Sequence, residues 1–445
     1  MPQTLSNSTA SFKQALRCLM VSVLALLLVS SGFAKKKTTP KAEEPAQAEE
    51  VEPKIDTTKL VWPRPPDVAR IRWLAQAKGE IVPPAPQAKN KQKWMERLAG
   101  VQQVGEIKVQ QPHILVEPYG IAVDSKGNIY VADTYVGSVF IFHADDLEKV
   151  DSIHNGKQVH FEQIIGLAID DDDRLFVSDS HLHCVFVFDA EHHLLNAFGQ
   201  DSLERPSGIA LDSKNRFLYV ADVVKNQVAV FDADNFKRLR SIGGPPAQVG
   251  GEEPGTFARP TNVAVDADGK VYVSDTINNR IEIFDADGDF LSMFGRPGDG
   301  PGFFGRPKGL AVDRDGHVWI ADTSMDRVQV FDHEGRLAAY FGIHGTLPGQ
   351  FILPTGIAID RKNRVIVSEQ FKGRIQIFQY VTDAEAALAK ADNGKASGSI
   401  PAQTAQESKP RSFVLRHSIF LAGGRTPPAG KTDARLHLAS GATQK

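Results

Sequence analysis

The stretch "KGLAVDRDGHVWIADTSMDRVQVF", residues 308–331, carries two acids with fixed neighbours: Asp313 closes an apolar run and Asp322 follows "WIA". Such a pair suits catalytic acids, metal ligands or turn-formers, and the rest of the chain decides among them. The first pattern recurs as "YGIAVD" to Asp124, "IGLAID" to Asp170, "SGIALD" to Asp212, "TNVAVD" to Asp266 and "TGIAID" to Asp360. The second recurs as "YVAD" to Asp133, "FVSD" to Asp179, "YVAD" to Asp222, "YVSD" to Asp275 and "IVSE" to Glu369. A third apolar run follows each, as in "RIEIF", "RVQVF" and "RIQIF". Six copies recurring at about 42 to 54 residues have the period of propeller blades.

Within each copy the alternation is strand-like. In "RIEIF", Ile281 and Ile283 flank Glu282 and Phe284 closes the run. "DADG" at Asp285–Gly288 and "DRDG" at Asp313–Gly316 read as hairpin turns, where Gly supplies the positive φ and Asp bonds its own backbone. A fourth strand ends in an aromatic-Gly pair at Gly199, Gly295 and Gly342. The fold class is therefore all-β, a six-bladed β-propeller of four-stranded antiparallel blades. The pattern resembles the NHL-repeat family, within the TolB-like six-bladed propeller superfamily and of an exported bacterial type. The resemblance covers roughly Pro112 to Tyr380, is closest in blades four to six and is loosest in blade two.

The sixth copy lacks a fourth strand, and an open ring would expose two strand edges. "ARIRWLAQA", Ala69–Ala77, precedes every repeat and alternates Ile71, Trp73 and Ala75 on one face. It is expected to fill the outer position of blade six and close the ring, the alternative being an independent hairpin or linker strand. The propeller then spans 59–383.

The flanks differ in character. Lys13 and Arg17, the apolar run Leu19–Val29 and the small residues Gly32 and Ala34 form the three-part layout of a signal peptide over 1–34. Lys35–Lys37 make a retained membrane anchor the alternative. Residues 35–58, poor in large apolar side chains, read as a disordered linker, and 384–445 as a mostly disordered tail. The expected location is periplasmic or extracellular. Two cysteines, Cys18 and Cys184, cannot build a disulfide framework. A net charge of −3 gives no reason to expect nucleic acid.

A residue repeated in all six blades answers a need shared by all six, so the carboxylates read as architecture. The second acid is followed five positions on by arginine in three blades, giving the turn pairs Asp275–Arg280, Asp322–Arg327 and Glu369–Arg374. Function should lie where blades differ, on the face of the Gly/Pro-rich loops 243–259, 295–306 and 342–351. Seven residues before each first acid stand Glu117, Gln163, Arg205, Arg259, Arg306 and Leu353. Arg205, Arg259 and Arg306, with Lys308 beside them, would form an anion-binding crescent at the channel mouth. The competing reading pairs each arginine with a local acid such as Glu204 or Glu253.

Two other positions stand out. Glu117 and Asn262, the latter where every other blade has Gly, resemble part of the oxygen-ligand set of calcium-dependent propeller hydrolases and lyases. A Gly-like backbone is the simpler account of Asn262. His181 and His183 in "HLHC" would suit Zn or Cu if they shared a face. The resulting expectation is a non-catalytic binding or scaffold propeller of the cell envelope, without a cofactor, recognising a protein or anionic ligand. The alternative is a metal-dependent propeller lyase or lactone hydrolase acting in the channel, with calcium at Glu117 and Asn262.

Overall fold

The computed structural model describes residues 56–64, 69–79, 113–156, 159–248, 253–382 and 385. The signal segment, most of the linker, and the tail apart from Glu385 lie outside these. At the linker's end, where disorder was expected, Thr57–Lys59 form a short 3-10 turn capped by Asp56.

Each repeat forms one antiparallel sheet. Blade one runs from β3 (Pro118–Val123) to β6 (Val150–His154), and blade two from β7 (Ile164–Ile169) to β10 (Leu194–Phe198). Blade three runs from β11 (Pro206–Asp212) to β14 (Arg238–Ile242), and blade four from β15 (Pro260–Val265) to β18 (Phe290–Phe294). Blade five spans β19 (Pro307–Val312) to β22 (Leu337–Phe341). The first strand of each blade packs against the first strand of the next, and β23 (Pro354–Ile359) against β3, so the ring closes.

Blade six is completed from the other end of the described chain. Its strands β23, β24 (Arg364–Glu369) and β25 (Arg374–Tyr380) are joined by β2 (Ile71–Ala77), and β1 (Val61–Trp62) adds a fifth strand outside it. Ile71 pairs with Tyr380 and Ala77 with Ile375, so the N-terminal segment closes the blade. The single apolar face expected of β2 is split, because the register slips between Trp73 and Ala75. Ile71 and Trp73 pack with blade five, whereas Ala75 and Ala77 pack with blade one. One extra residue reverses the side-chain alternation, and here that lets a single strand serve both neighbours.

The core lies between blades. Apolar clusters join blade one to two, two to three, and so on round to six and one. Third strands carry the buried Phe142, Phe188, Phe231, Phe284, Phe331 and Phe378 at or near their ends. After the outer strands Gly295 and Gly342 take φ of +94° and +91°, and a Cβ there would run into Phe304 or Phe351 of the returning loop. Positive φ and lack of room both require glycine at these two turns.

Candidate functional site

The first acid of each blade turns a hairpin. Asp313, for example, accepts the amides of Asp315 and His317 at 2.9 Å each. The second acid ties two loops of the upper face, the face that carries the blade-to-blade connections. Asp222 accepts the amides of Glu204 and Arg205 at 2.7 and 3.0 Å, and Asp322 those of Gly305 and Arg306 at 2.8 and 2.9 Å. Asp133 and Asp179 hold Glu117 and Gln163 in the same way. The repeated carboxylates therefore fix the backbone from which the variable residues project.

The expected turn pairs behave differently from one another. Arg280 Nε lies 2.9 Å from Asp275, and Arg374 Nε lies 2.6 Å from Glu369. The Asp322–Arg327 pair does not form: the two are cross-strand partners, but Arg327 Nη2 donates to Gly300 O at 2.7 Å. Asp322 already has two amide donors, and the Gly300 carbonyl needs one, so the guanidinium serves the loop. Arg280 and Arg374 also reach inter-blade carbonyls, at Thr256 and Gln350.

Sequence reasoning missed the buried polar side chain two residues beyond each of these arginines. Glu282, Gln329 and Gln376 are 0% exposed and accept the amides of Gly255, Gly302 and Gly349 at 2.9, 2.8 and 2.8 Å. Their signal was a polar residue centred in an apolar strand, where blades one to three carry Phe140, Phe186 and Ala229. The long Gly/Pro loops are consequently clamped at several backbone positions.

The central channel holds a cavity of about 190 Å³, walled by the first strands and lined by Ile121, Leu167, Leu211, Leu310 and Ile357 among others. Its inner glycines are explained by crowding: a Cβ on Gly120, Gly166, Gly309 or Gly356 would come within 2.5 Å of a neighbouring blade's carbonyl oxygen. None of these has the positive φ that a Gly-like backbone at Asn262 would imply, which corrects that account. Asn262 instead lies over Gly208 and accepts the Val263 amide at 2.9 Å.

Asn262 lines the cavity; Glu117 does not. They belong to blades four and one, on opposite sides of the ring, so the two expected calcium ligands are not brought together. Among the described residues no three His, Cys, Asp or Glu side chains gather around a common point. His181 pairs with Glu162 at 3.3 Å, while His183 Nδ1 meets the Glu204 carbonyl, so the two rings are engaged separately. Burial in β9 (Cys184–Phe188) pushes the Cys184 thiol up to about 12.

Arg205, Arg259 and Arg306 are exposed and occupy the same position in blades three, four and five. No side-chain acid pairs with any of them among the described residues; Glu204 and Glu253 do not. Arg259 takes φ of +55°, and its amide donates to Asn226 of blade three at 2.8 Å. Lys308 is half-buried, and its Nζ sits 5.2 Å from the centre of the Tyr119 ring. Burial, and then the Arg306 charge, lower this amine to about 8. Tyr119, pushed up to about 12 by burial, was not anticipated; its signal was that it stands one residue after the inner-strand proline, as Lys308 does.

Comparisons with known proteins agree with the architecture. The NHL repeat family matches residues 161–188 and 304–331, the SMP-30/Gluconolactonase/LRE-like region 198–301, and a Beta-propeller repeat 100–132. A Caenorhabditis elegans protein described as a probable peptidyl-alpha-hydroxyglycine alpha-amidating lyase, pgal-1, is 34% identical over 104 residues, 23% of this chain and 29% of that protein. NHL repeat-containing protein 2 of Gallus gallus is 35% identical over 95 residues, 20% of this chain and 13% of that protein. The matched region thus spans less than a third of either relative's length. Among solved structures, virginiamycin B lyase from Staphylococcus aureus aligns with a TM-score of 0.45 at 14% identity, over 60% of this chain and 96% of that one. A Bacteroides thetaiotaomicron protein of unknown function aligns with a TM-score of 0.49 at 19% identity, over 60% and 70%. Six repeats in one closed ring make the chain a six-bladed β-propeller, and the NHL-repeat matches in two of its blades support the resemblance to that family.

Proposed function

We propose that the chain is an exported binding propeller, acting in the periplasm or outside the cell, which recognises an anionic group on a protein or envelope ligand. The observation that carries this reading is the set Arg205, Arg259 and Arg306: equivalent positions in adjacent blades, exposed, and without acidic partners among the described residues. Three such guanidinium groups, with Lys308 behind them, favour a ligand bearing carboxylate or phosphate, which a planar fork of donors can grip. Tyr135 and Phe371, exposed by 73% and 71% in the second-to-third-strand turns of blades one and six, add apolar contact area on the same face. The test is a thermal melt with pyrophosphate or citrate as the probe. Either anion should raise the melting temperature at low salt, and less so as salt screens the charges. No shift with either anion contradicts the reading.

A second reading, a metal-dependent lyase or lactone hydrolase, is favoured by the similarity to the amidating lyase and by the SMP-30/Gluconolactonase/LRE-like match. The donor set does not fit it: Glu117 and Asn262 lie on opposite sides of the ring, and Asn262 already accepts a backbone amide. Elemental analysis with melts before and after chelation separates the two readings. Stoichiometric calcium or zinc and a chelator-sensitive melt would favour the enzyme.

A further inference from the structure

Lys308 is placed as few lysines are. It stands in blade five, yet its ammonium rests on Tyr119 of blade one, so the contact passes in front of blade six at the channel mouth. No carboxylate pairs with it among the described residues. Arg306 stands close enough to repel it, and Asp322 below accepts the Gly305 and Arg306 amides. The equivalent positions on the neighbouring first strands are Thr261 and Thr355, which are neutral. Beneath lies the 190 Å³ cavity, whose lining is apolar side chains and glycine apart from Tyr119 and Asn262.

An amine that is desolvated and set beside a second cation is the arrangement that turns lysine into a nucleophile. We propose that Lys308 is a carbonyl-reactive amine that forms an imine with a small 2-oxo acid bearing an apolar side chain. Arg306 takes the carboxylate, and the cavity takes the apolar tail. The neutral amine adds to the ketone carbon to form the C–N bond. The resulting carbinolamine then loses the ketone oxygen as water, which carries off the two amine protons; no oxidant or reductant is consumed. The ring face of Tyr119 favours the charged amine, while burial and Arg306 favour the neutral one and prevail, leaving it near 8. A useful fraction is therefore unprotonated near neutral pH. The carboxylate contact rests on the anion-binding reading above; the amine chemistry goes beyond it.

The test is reductive trapping on the full chain. Protein is incubated with 2-oxoisovalerate and cyanoborohydride at several pH values and mapped by peptide mass spectrometry. One addition on the peptide containing Lys308 is expected, half-maximal near pH 8. Lys308→Arg, shown by its melt to be folded, should abolish that addition. Arg306→Gln should lower trapping of 2-oxoisovalerate about tenfold more than trapping of neutral isobutyraldehyde, because both probes lose the lowering of the amine by Arg306 but only the 2-oxo acid also loses the carboxylate contact. Label scattered over exposed lysines with Lys308 unmodified overturns the proposal, as does trapping at Lys308 only at the high pH of an ordinary lysine. If pyrophosphate still stabilises a protein that is not trapped, only the amine chemistry falls; loss of both removes the anion site as well.

Discussion

Arg374 is 1% exposed, so its guanidinium must find its partners inside the protein, and it does. It pairs with Glu369 at 2.6 Å and donates to Gln76 of the closing strand at 2.7 Å and to the carbonyls of Thr346 and Gln350 at 2.9 Å each. Truncation would leave Glu369 buried and charged without its counter-ion. Arg374→Ala should therefore cost about 3–5 kcal/mol in urea unfolding, whereas exposed Arg205→Ala should cost about 0.5 or less. Blade four offers a pH test. Burial raises Glu282 to about 7 from the ordinary 4.5, with Arg280 opposing. Between those values the fold keeps a proton that the unfolded chain has released, so stability falls as pH rises through the window. Glu282→Gln copies the residue found in blades five and six and removes that loss. It should stabilise by roughly 1–3 kcal/mol at pH 8 and by little at pH 4; an equal effect at both pH values would contradict the assignment.

Among the elements, the first strands are the most constrained, because six of them crowd around one axis. A Cβ on Gly356 would lie 1.9 Å from the Tyr119 carbonyl oxygen, whereas one on Gly244 would meet nothing within 4 Å. Gly356→Ala should cost about 1–3 kcal/mol or more, and Gly244→Ala less than about 0.5, in denaturant melts. The strands themselves were legible in the sequence, since alternation and turn residues are local and the repeat supplied each of them six times. The reason for the inner glycines was not, because crowding comes from the neighbouring blade and leaves no mark on φ. The bulge at Leu74 was equally hidden: a one-residue slip depends on the partner strand β25, which lies some three hundred residues away.

At the scale of the molecule, ring closure joins what the sequence keeps apart. The position of the three arginines could be read from repeat register, but their lack of acidic partners among the described residues could not, since Glu204 and Glu253 are near them in sequence and yet do not pair with them. Tyr119 and Lys308 meet only because blades one and five come within reach once blade six is built. That blade depends on β2, which covers an edge that would otherwise be free for another chain. A chain beginning after Gly79 should melt at lower temperature and self-associate on size-exclusion chromatography; a monomer with an unchanged melt would show that β2 is dispensable. The same ring sets the blades' shared acids to structural tasks and leaves chemistry to the side chains that differ, so the central claim is that the anion is held by the crescent of blades three to five. It is tested most directly by titrating pyrophosphate calorimetrically into the wild type and into a folded variant carrying Arg205→Glu, Arg259→Glu, Arg306→Glu and Lys308→Glu. The account predicts binding that weakens with salt in the wild type and is lost in the variant. Equal affinity in the two proteins would contradict it.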